Sequence, residues 1–177
     1  MIRAFVGAGG KTTLIHEQAA RYRAQGKRVF VTTSTHMFIE PDTVLSDDSE
    51  VILAQLNRTG YVMAGIPEGE KIRSLSSETY ERVCSYADVV LLEADGSSRK
   101  PIKFPNSTEP VLYDNVEEIV VVCGLQPRFR FLLLVNCSFE TSSLNNVCLV
   151  VICYQDARIT ESFTYYFIML KNQFMAI

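Results

Sequence analysis

The chain has 177 residues, a net charge of −3 and 47% hydrophobic residues, which suits one domain with a sizeable core and at most a small appendage. That balance gives no general electrostatic case for nucleic-acid binding, and no apolar run reaches the roughly 18 residues of a membrane-spanning helix. Five cysteines without a C-x-x-C pair read as free thiols of a cytoplasmic protein, and Met1-Ile2-Arg3 leads directly into apolar sequence, so no signal peptide is expected.

Ile2–Val6 reads as a short buried strand. Lys11–Gln25 reads as a helix with Leu14, Ile15, Ala19 and Tyr22 on one face and Gly26 as its stop. Between them lies Gly7-Ala8-Gly9-Gly10-Lys11-Thr12-Thr13. A glycine loop between strand and helix lets backbone N–H groups turn inward around phosphate oxygens. The helix N-terminus adds free donors and the positive end of its dipole. Lys11 would reach the β- and γ-phosphates of a nucleotide, and Thr12 would offer its hydroxyl to Mg²⁺. The commonest phosphate loop has a glycine where Phe5 stands; here the preceding glycine is Gly7. This shorter G-x-x-G-K-T-T loop resembles that of Mur-type ligases. The plain alternative is a glycine turn with an accidental Lys-Thr, against which the flanking strand and helix argue.

Arg28–Thr33 is a second strand, closing on Thr32-Thr33-Ser34-Thr35-His36. Hydroxyls there suit a phosphate, a magnesium-bound water or a second substrate, or else simply strand propensity and turn capping. Thr33 is taken as a nucleotide contact. His36 is a candidate catalytic residue or an ordinary loop histidine, and His16 reads as structural or exposed. Asp47 and Glu50 frame a capping box for a helix with the apolar stripe Ile52, Leu53 and Leu56. Tyr61–Ala64 is a short strand, and Pro67–Lys71 a polar turn. A helix over Ser77–Ala87 would bury Tyr80, Val83, Cys84 and Ala87. Val89–Glu93 and Glu118–Cys123 are buried strands, with Cys84 and Cys123 in the core.

The run Val89–Gly96 delivers Glu93 and Asp95 to a strand end. Both suit a hard cation such as Mg²⁺, or can orient an attacking water; solvated carboxylates are the plainer reading. Arg99, Lys100 and Lys103 follow, as a clamp for an anionic group or as a solvated basic loop. Strands alternating with helices imply an α/β chain: a mostly parallel, doubly wound sheet with helices on both faces. The polar clusters at Gly7–Thr13, Thr32–His36 and Glu93–Lys100 all fall at strand ends, where such sheets bind ligands.

The character changes after residue 124, dividing the chain into a nucleotide-binding domain over 1–124 and an atypical tail over 125–177. No glycine occurs from Leu125 to Ile177. Runs Phe131–Val135, Val147–Tyr154 and Phe163–Leu170 could be strands. The tail is a β-rich appendage, a disordered segment, or sequence shifted out of frame near Leu125.

V-G-A-G-G-K-T-T, V-T-T-S-T-H and A-D-V-V-L-L-E-A-D-G-S-S-R-K-P-I-K-F-P-N-S-T-E-P-V together resemble the YqeC family, described as accessory to selenium-dependent molybdenum hydroxylases. The resemblance covers roughly Ile2 to Leu125. It implies a P-loop NTPase-like fold, phosphates at Gly7, Ala8, Gly9, Gly10, Lys11, Thr12 and Thr13, and metal or water at Glu93 and Asp95. It leaves Thr32–His36, Lys103 and Glu109 without assigned roles. A base-reading N-K-x-D motif would fall in the tail, where Asn136-Cys137-Ser138-Phe139 lacks its lysine and aspartate, so ATP and GTP both stay open. The expected function is a cytoplasmic nucleoside triphosphate-binding protein and slow Mg²⁺-dependent NTPase, serving a molybdenum hydroxylase or its maturation factors. An ATP-dependent ligase or kinase of small molecules and a non-hydrolysing nucleotide switch are the alternatives.

Overall fold

A computed structural model describes residues 1–96, 110–125, 148–154, 163–170 and 173–176. In chain order the elements are β1 (Ile2–Ala8), α1 (Lys11–Ala24), β2 (Val29–Thr33), β3 (His36–Phe38), β4 (Val44–Leu45), α2 (Ser49–Thr59), β5 (Tyr61–Glu68), β6 (Lys71–Arg73), α3 (Ser77–Tyr86), β7 (Val89–Glu93), β8 (Glu118–Leu125), β9 (Cys148–Tyr154), β10 (Phe163–Leu170) and β11 (Gln173–Ala176).

The strands form one sheet in the order β11-β10-β9-β8-β1-β7-β2-β5-β6-β3, with β4 against β5. Its centre is parallel: β9, β8, β1, β7, β2 and β5 run the same way. Its flanks are antiparallel, β5–β6–β3 on one side and β9–β10–β11 on the other. The sheet is therefore mixed. On the first flank the reason is local. Gly69, at φ 62, turns the Pro67–Lys71 segment into a hairpin, with Pro67 and Glu68 in β5 and Lys71 opening β6.

Alternation along the central strands feeds two separate cores, as period-2 side chains must. Ala4, Val6, Phe30, Val90, Leu92, Ile119 and Val121 face α2 and α3, meeting Ile52, Leu56, Tyr80 and Val83. Phe5, Val29, Val31, Leu91, Val120 and Val122 face α1, meeting Leu14, Ile15 and Ala19. Helices thus cover both faces. Asp48, not Asp47, caps α2, accepting from Glu50 N at 2.9 Å. Asp47 instead accepts from the backbone and hydroxyl of Ser76, which caps α3.

From β1 the chain crosses through α1 to β2, on the far side of β7. From β7 it passes to β8, on the far side of β1. Connections from two adjacent strands therefore leave in opposite directions, and in α/β sheets ligands bind at the carboxyl ends of such strands. Gly7 lies there at φ 92, and a Cβ on it would sit 2.2 Å from the Val122 carbonyl oxygen. Gly26 also has positive φ, at 75°, but nothing within 4 Å. Gly7→Ala should cost more than about 2 kcal/mol, from strain and clash together; Gly26→Ala should cost about 1 kcal/mol, from backbone strain alone. Urea unfolding of the two variants checks this, and equal losses would mean that β1 and β8 do not approach so closely.

Candidate functional site

The segment joining β1 to α1 is built on glycines in the left-handed region: Gly7 at φ 92, Gly9 at 82 and Gly10 at 121. Gly10 is the residue before α1, and no side chain caps the helix; its first turn holds no acidic residue. By contrast α2 starts with Asp48 and Glu50, and α3 with Ser76 and Glu78. The positive end of the α1 dipole is left uncompensated by α1's own residues.

Lys11 opens α1, and although lysine is ordinarily solvated it is buried here, at 3% exposure beside Glu93 at 6% and Asp95 at 4%. Its Nζ donates to the Gly7 carbonyl at 2.6 Å and to Asp95 Oδ1 at 2.6 Å, and lies 3.8 Å from Glu93 Oε1. The other Asp95 oxygen, Oδ2, accepts from Gly7 N at 2.8 Å. The Thr12 hydroxyl donates to Glu93 Oε2 at 3.3 Å. Burial pushes the Glu93 carboxyl up to about 7; Lys11 and the Thr12 hydrogen bond pull it down, Asp95 pushes it up, and Lys71 pulls it down. Lys71, on β6, is a cation of this neighbourhood that its place in a polar turn did not reveal.

The end of β2 holds the end of β7. Thr33 Oγ1 donates to the Glu93 carbonyl at 2.8 Å, and Ser34 N donates to the same oxygen at 3.1 Å. Thr33 Oγ1 in turn accepts from Thr35 N at 3.0 Å. Ser34 Oγ donates to the Val111 carbonyl at 2.6 Å, and Val111 N donates to the Ala94 carbonyl at 2.9 Å. Val111, the last residue of the E-P-V string, thus returns to the strand end that Glu93 and Asp95 occupy. Thr35 Oγ1 is buried without a partner among the described residues.

Lys11, Thr12, Glu93 and Asp95 come together with the Gly7 backbone, and Thr33 supports them from behind. Ala8, Gly9 and Gly10 form the connecting loop, and Thr13 is exposed on the first turn of α1. His36 lies elsewhere in the bonding network, on β3, with Nε2 2.6 Å from Glu68 Oε2 and both side chains about half exposed. His16 pairs with Glu40 at 2.7 Å. Cys84 is a free thiol that burial pushes up to about 11, which makes it a packing residue rather than a nucleophile. Arg99, Lys100, Lys103 and Glu109 lie outside the described residues.

The oxygens of Thr12, Glu93 and Asp95 are of the hard type that Mg²⁺ prefers. Among the described residues no group of three His, Cys, Asp or Glu side chains could hold a metal by itself. This donor set fits a cation completed by water and phosphate oxygens rather than caged by protein. Among the described residues no helix is long and apolar enough to cross a membrane.

The family described as YqeC protein matches residues 3–132. A curated relative, the uncharacterized protein YqeC of Escherichia coli (strain K12), is 31% identical over 127 residues, covering 67% of this chain and 50% of the relative. The chain spans half the length of that relative. No solved structure matches.

The raised Glu93 value sets a pH dependence. An ordinary glutamate titrates near 4.5, whereas Glu93 in the fold titrates near 7. Between those values the native state keeps a proton that the unfolded chain has released. Stability from this group is therefore full below about pH 4.5 and is lost as pH rises through about 7, with a slope of up to about 1.4 kcal/mol per unit. Urea midpoints from pH 4.5 to 7.5 should show Glu93→Gln gaining on the wild type as pH rises. Parallel curves for the two proteins would count against a proton on Glu93.

Proposed function

The chain belongs to the YqeC protein family, and we propose that it binds the triphosphate of a nucleotide together with Mg²⁺ and hydrolyses it slowly. The observation that carries this reading is the buried Lys11 ammonium. It stands at an uncapped helix N-terminus, wrapped by positive-φ glycines, against carboxylates from the neighbouring strand. A buried cation with two carboxylates is a poor device for stability, since desolvation offsets the attraction. Its place at the topological switch point is where α/β sheets bind ligands.

In this reading backbone N–H groups of the Gly7–Thr13 loop and the α1 dipole hold the phosphates. Lys11 balances charge that develops on the transferred group. Thr12 and one or both carboxylates would hold Mg²⁺, which supplies further neutralisation at the phosphate oxygens when bound. Glu93, titrating near neutrality, suits the proton of an attacking water. Thr33 and Ser34 fix the carbonyl of Glu93 and so aim its side chain.

The proposed setting is the cytoplasm, and the proposed client is a selenium-dependent molybdenum hydroxylase or one of its maturation factors. The support for that client is the family resemblance carried by the strings around Lys11, Thr33 and Glu93. ATP and GTP are both candidates. The short G-x-x-G-K loop favours a second reading, phosphoryl transfer to a small-molecule acceptor, and product analysis separates the two: free phosphate without an acceptor, or a modified acceptor.

Nucleotide should raise the melting temperature when Mg²⁺ is present. At about 100 times Kd the stabilisation is about 2.7 kcal/mol, or about 5–10 °C for a chain of this size. Lys11→Ala should abolish that shift. It should also lower the melting temperature of the free protein, because Glu93 and Asp95 lose their buried cation, a change worth about 3–5 kcal/mol. Lys11→Arg keeps the charge, and with it the fold, but places a planar fork where a compact ammonium fits, so its nucleotide shift should shrink. An unchanged shift in both variants would remove the phosphate-loop assignment.

A further inference from the structure

We infer that Asp95 is a built-in competitor for the phosphate loop, holding its two principal donors until a magnesium-bound nucleotide displaces it; this rests on the nucleotide-binding reading above. A single carboxylate spans both groups. Oδ1 takes the Lys11 ammonium at 2.6 Å and Oδ2 takes the Gly7 N–H at 2.8 Å. A lysine ammonium and an inward backbone N–H are the kinds of group that a phosphate oxygen would use. Asp95 is 4% exposed, so little solvent competes with it for these donors. It occupies the cradle as an anionic ligand would.

The geometry around Asp95 lets it let go. Ala94 is fixed on both sides: its N–H donates to the Phe5 carbonyl at 3.0 Å, and its carbonyl accepts from Val111 N at 2.9 Å. With the backbone held at Ala94, the Asp95 carboxylate can turn about its own side-chain bonds without moving β7. Charge decides what turns it. Lys11 carries one positive charge, and Asp95 and Glu93 face it from 2.6 and 3.8 Å. A bare triphosphate brings only more negative charge and must compete with Asp95 for Lys11. A nucleotide carrying Mg²⁺ brings a cation for which the freed carboxylate is a suitable oxygen ligand. Asp95 thus moves from lysine to metal, and the loop opens only to the metal-loaded form.

The test is equilibrium binding of ATP, GTP and inorganic tripolyphosphate, each with excess Mg²⁺ and with EDTA, on the full chain. Wild type should bind weakly in EDTA and much more tightly with Mg²⁺. Asp95→Asn keeps the size but not the charge. It should bind metal-free ATP or tripolyphosphate at least about tenfold more tightly than wild type, the gain expected if the latch is closed about 90% of the time. The same variant should lose most of the benefit from Mg²⁺. Asp95→Ser, smaller and uncharged, should behave alike and serves if the asparagine variant folds poorly. Wild-type binding with Mg²⁺, together with no metal-free gain in either variant, overturns the latch and leaves nucleotide binding standing. Equal wild-type affinity with and without Mg²⁺ also overturns it. No binding of any probe by any form overturns both readings.

Discussion

The structure turns on one constraint: a lysine ammonium cannot stay charged in a buried site without partners. Lys11 finds them only because β1 and β7 are neighbours in register, with Phe5 beside Glu93. That register continues past the strand end, where Ala94 N donates to the Phe5 carbonyl, and so brings Asp95 level with Gly7. Had β2 followed β1 directly in the sheet, Lys11 would face the hydroxyls of Thr32 and Thr33 and no carboxylate. The strand order is thus a condition for the charge cluster, and the cluster in turn ties α1 to the far strand end.

The surrounding elements serve that junction in different ways. On one side, β8 packs so closely that the Val122 carbonyl leaves no room for a Cβ on Gly7. On the other, β2 clamps the Glu93 carbonyl with a hydroxyl and a backbone amide. Functional side chains set on strand ends and held by a supporting hydrogen-bond layer keep their geometry better than those on free loops. The two cores, one under α1 and one under α2 and α3, supply the apolar stability that such a polar junction does not.

The long elements were legible because their periodicity is long enough to read. β1, β2, β7, β8 and the three helices fall close to the segments expected from apolar spacing. β3, β4 and β6 were not, since strands of two or three residues give no window for a period. Asp47 and Asp48 are adjacent acids, and sequence alone does not say which caps α2 and which reaches Ser76. In the site, the glycine loop and the two carboxylates were readable as types. The burial of Lys11 was not. A lysine at a helix start reads as solvated until the partner strand is known, and Asp95 is 84 residues away. The same holds for Thr33, whose hydroxyl serves the backbone of another strand.

Two carboxylates opposed by one lysine do not attract an anion by net charge. What would favour the proposed anion is directional: the loop N–H groups, the uncapped start of α1 and its dipole. Those groups act over a few ångströms and along fixed directions, so they can favour an anion that the net charge of the cluster does not. Net charge acts in the opposite sense, and it depends on the protonation of Glu93. When Glu93 is protonated, Lys11 and Asp95 balance; when it ionises, the cluster carries one excess negative charge. A divalent cation restores the balance with charge to spare. The sequence places the carboxylates of the cluster at one strand end and the glycine loop at the neighbouring one, so a metal and a phosphate bound as proposed would meet between them, each lowering the electrostatic cost of the other.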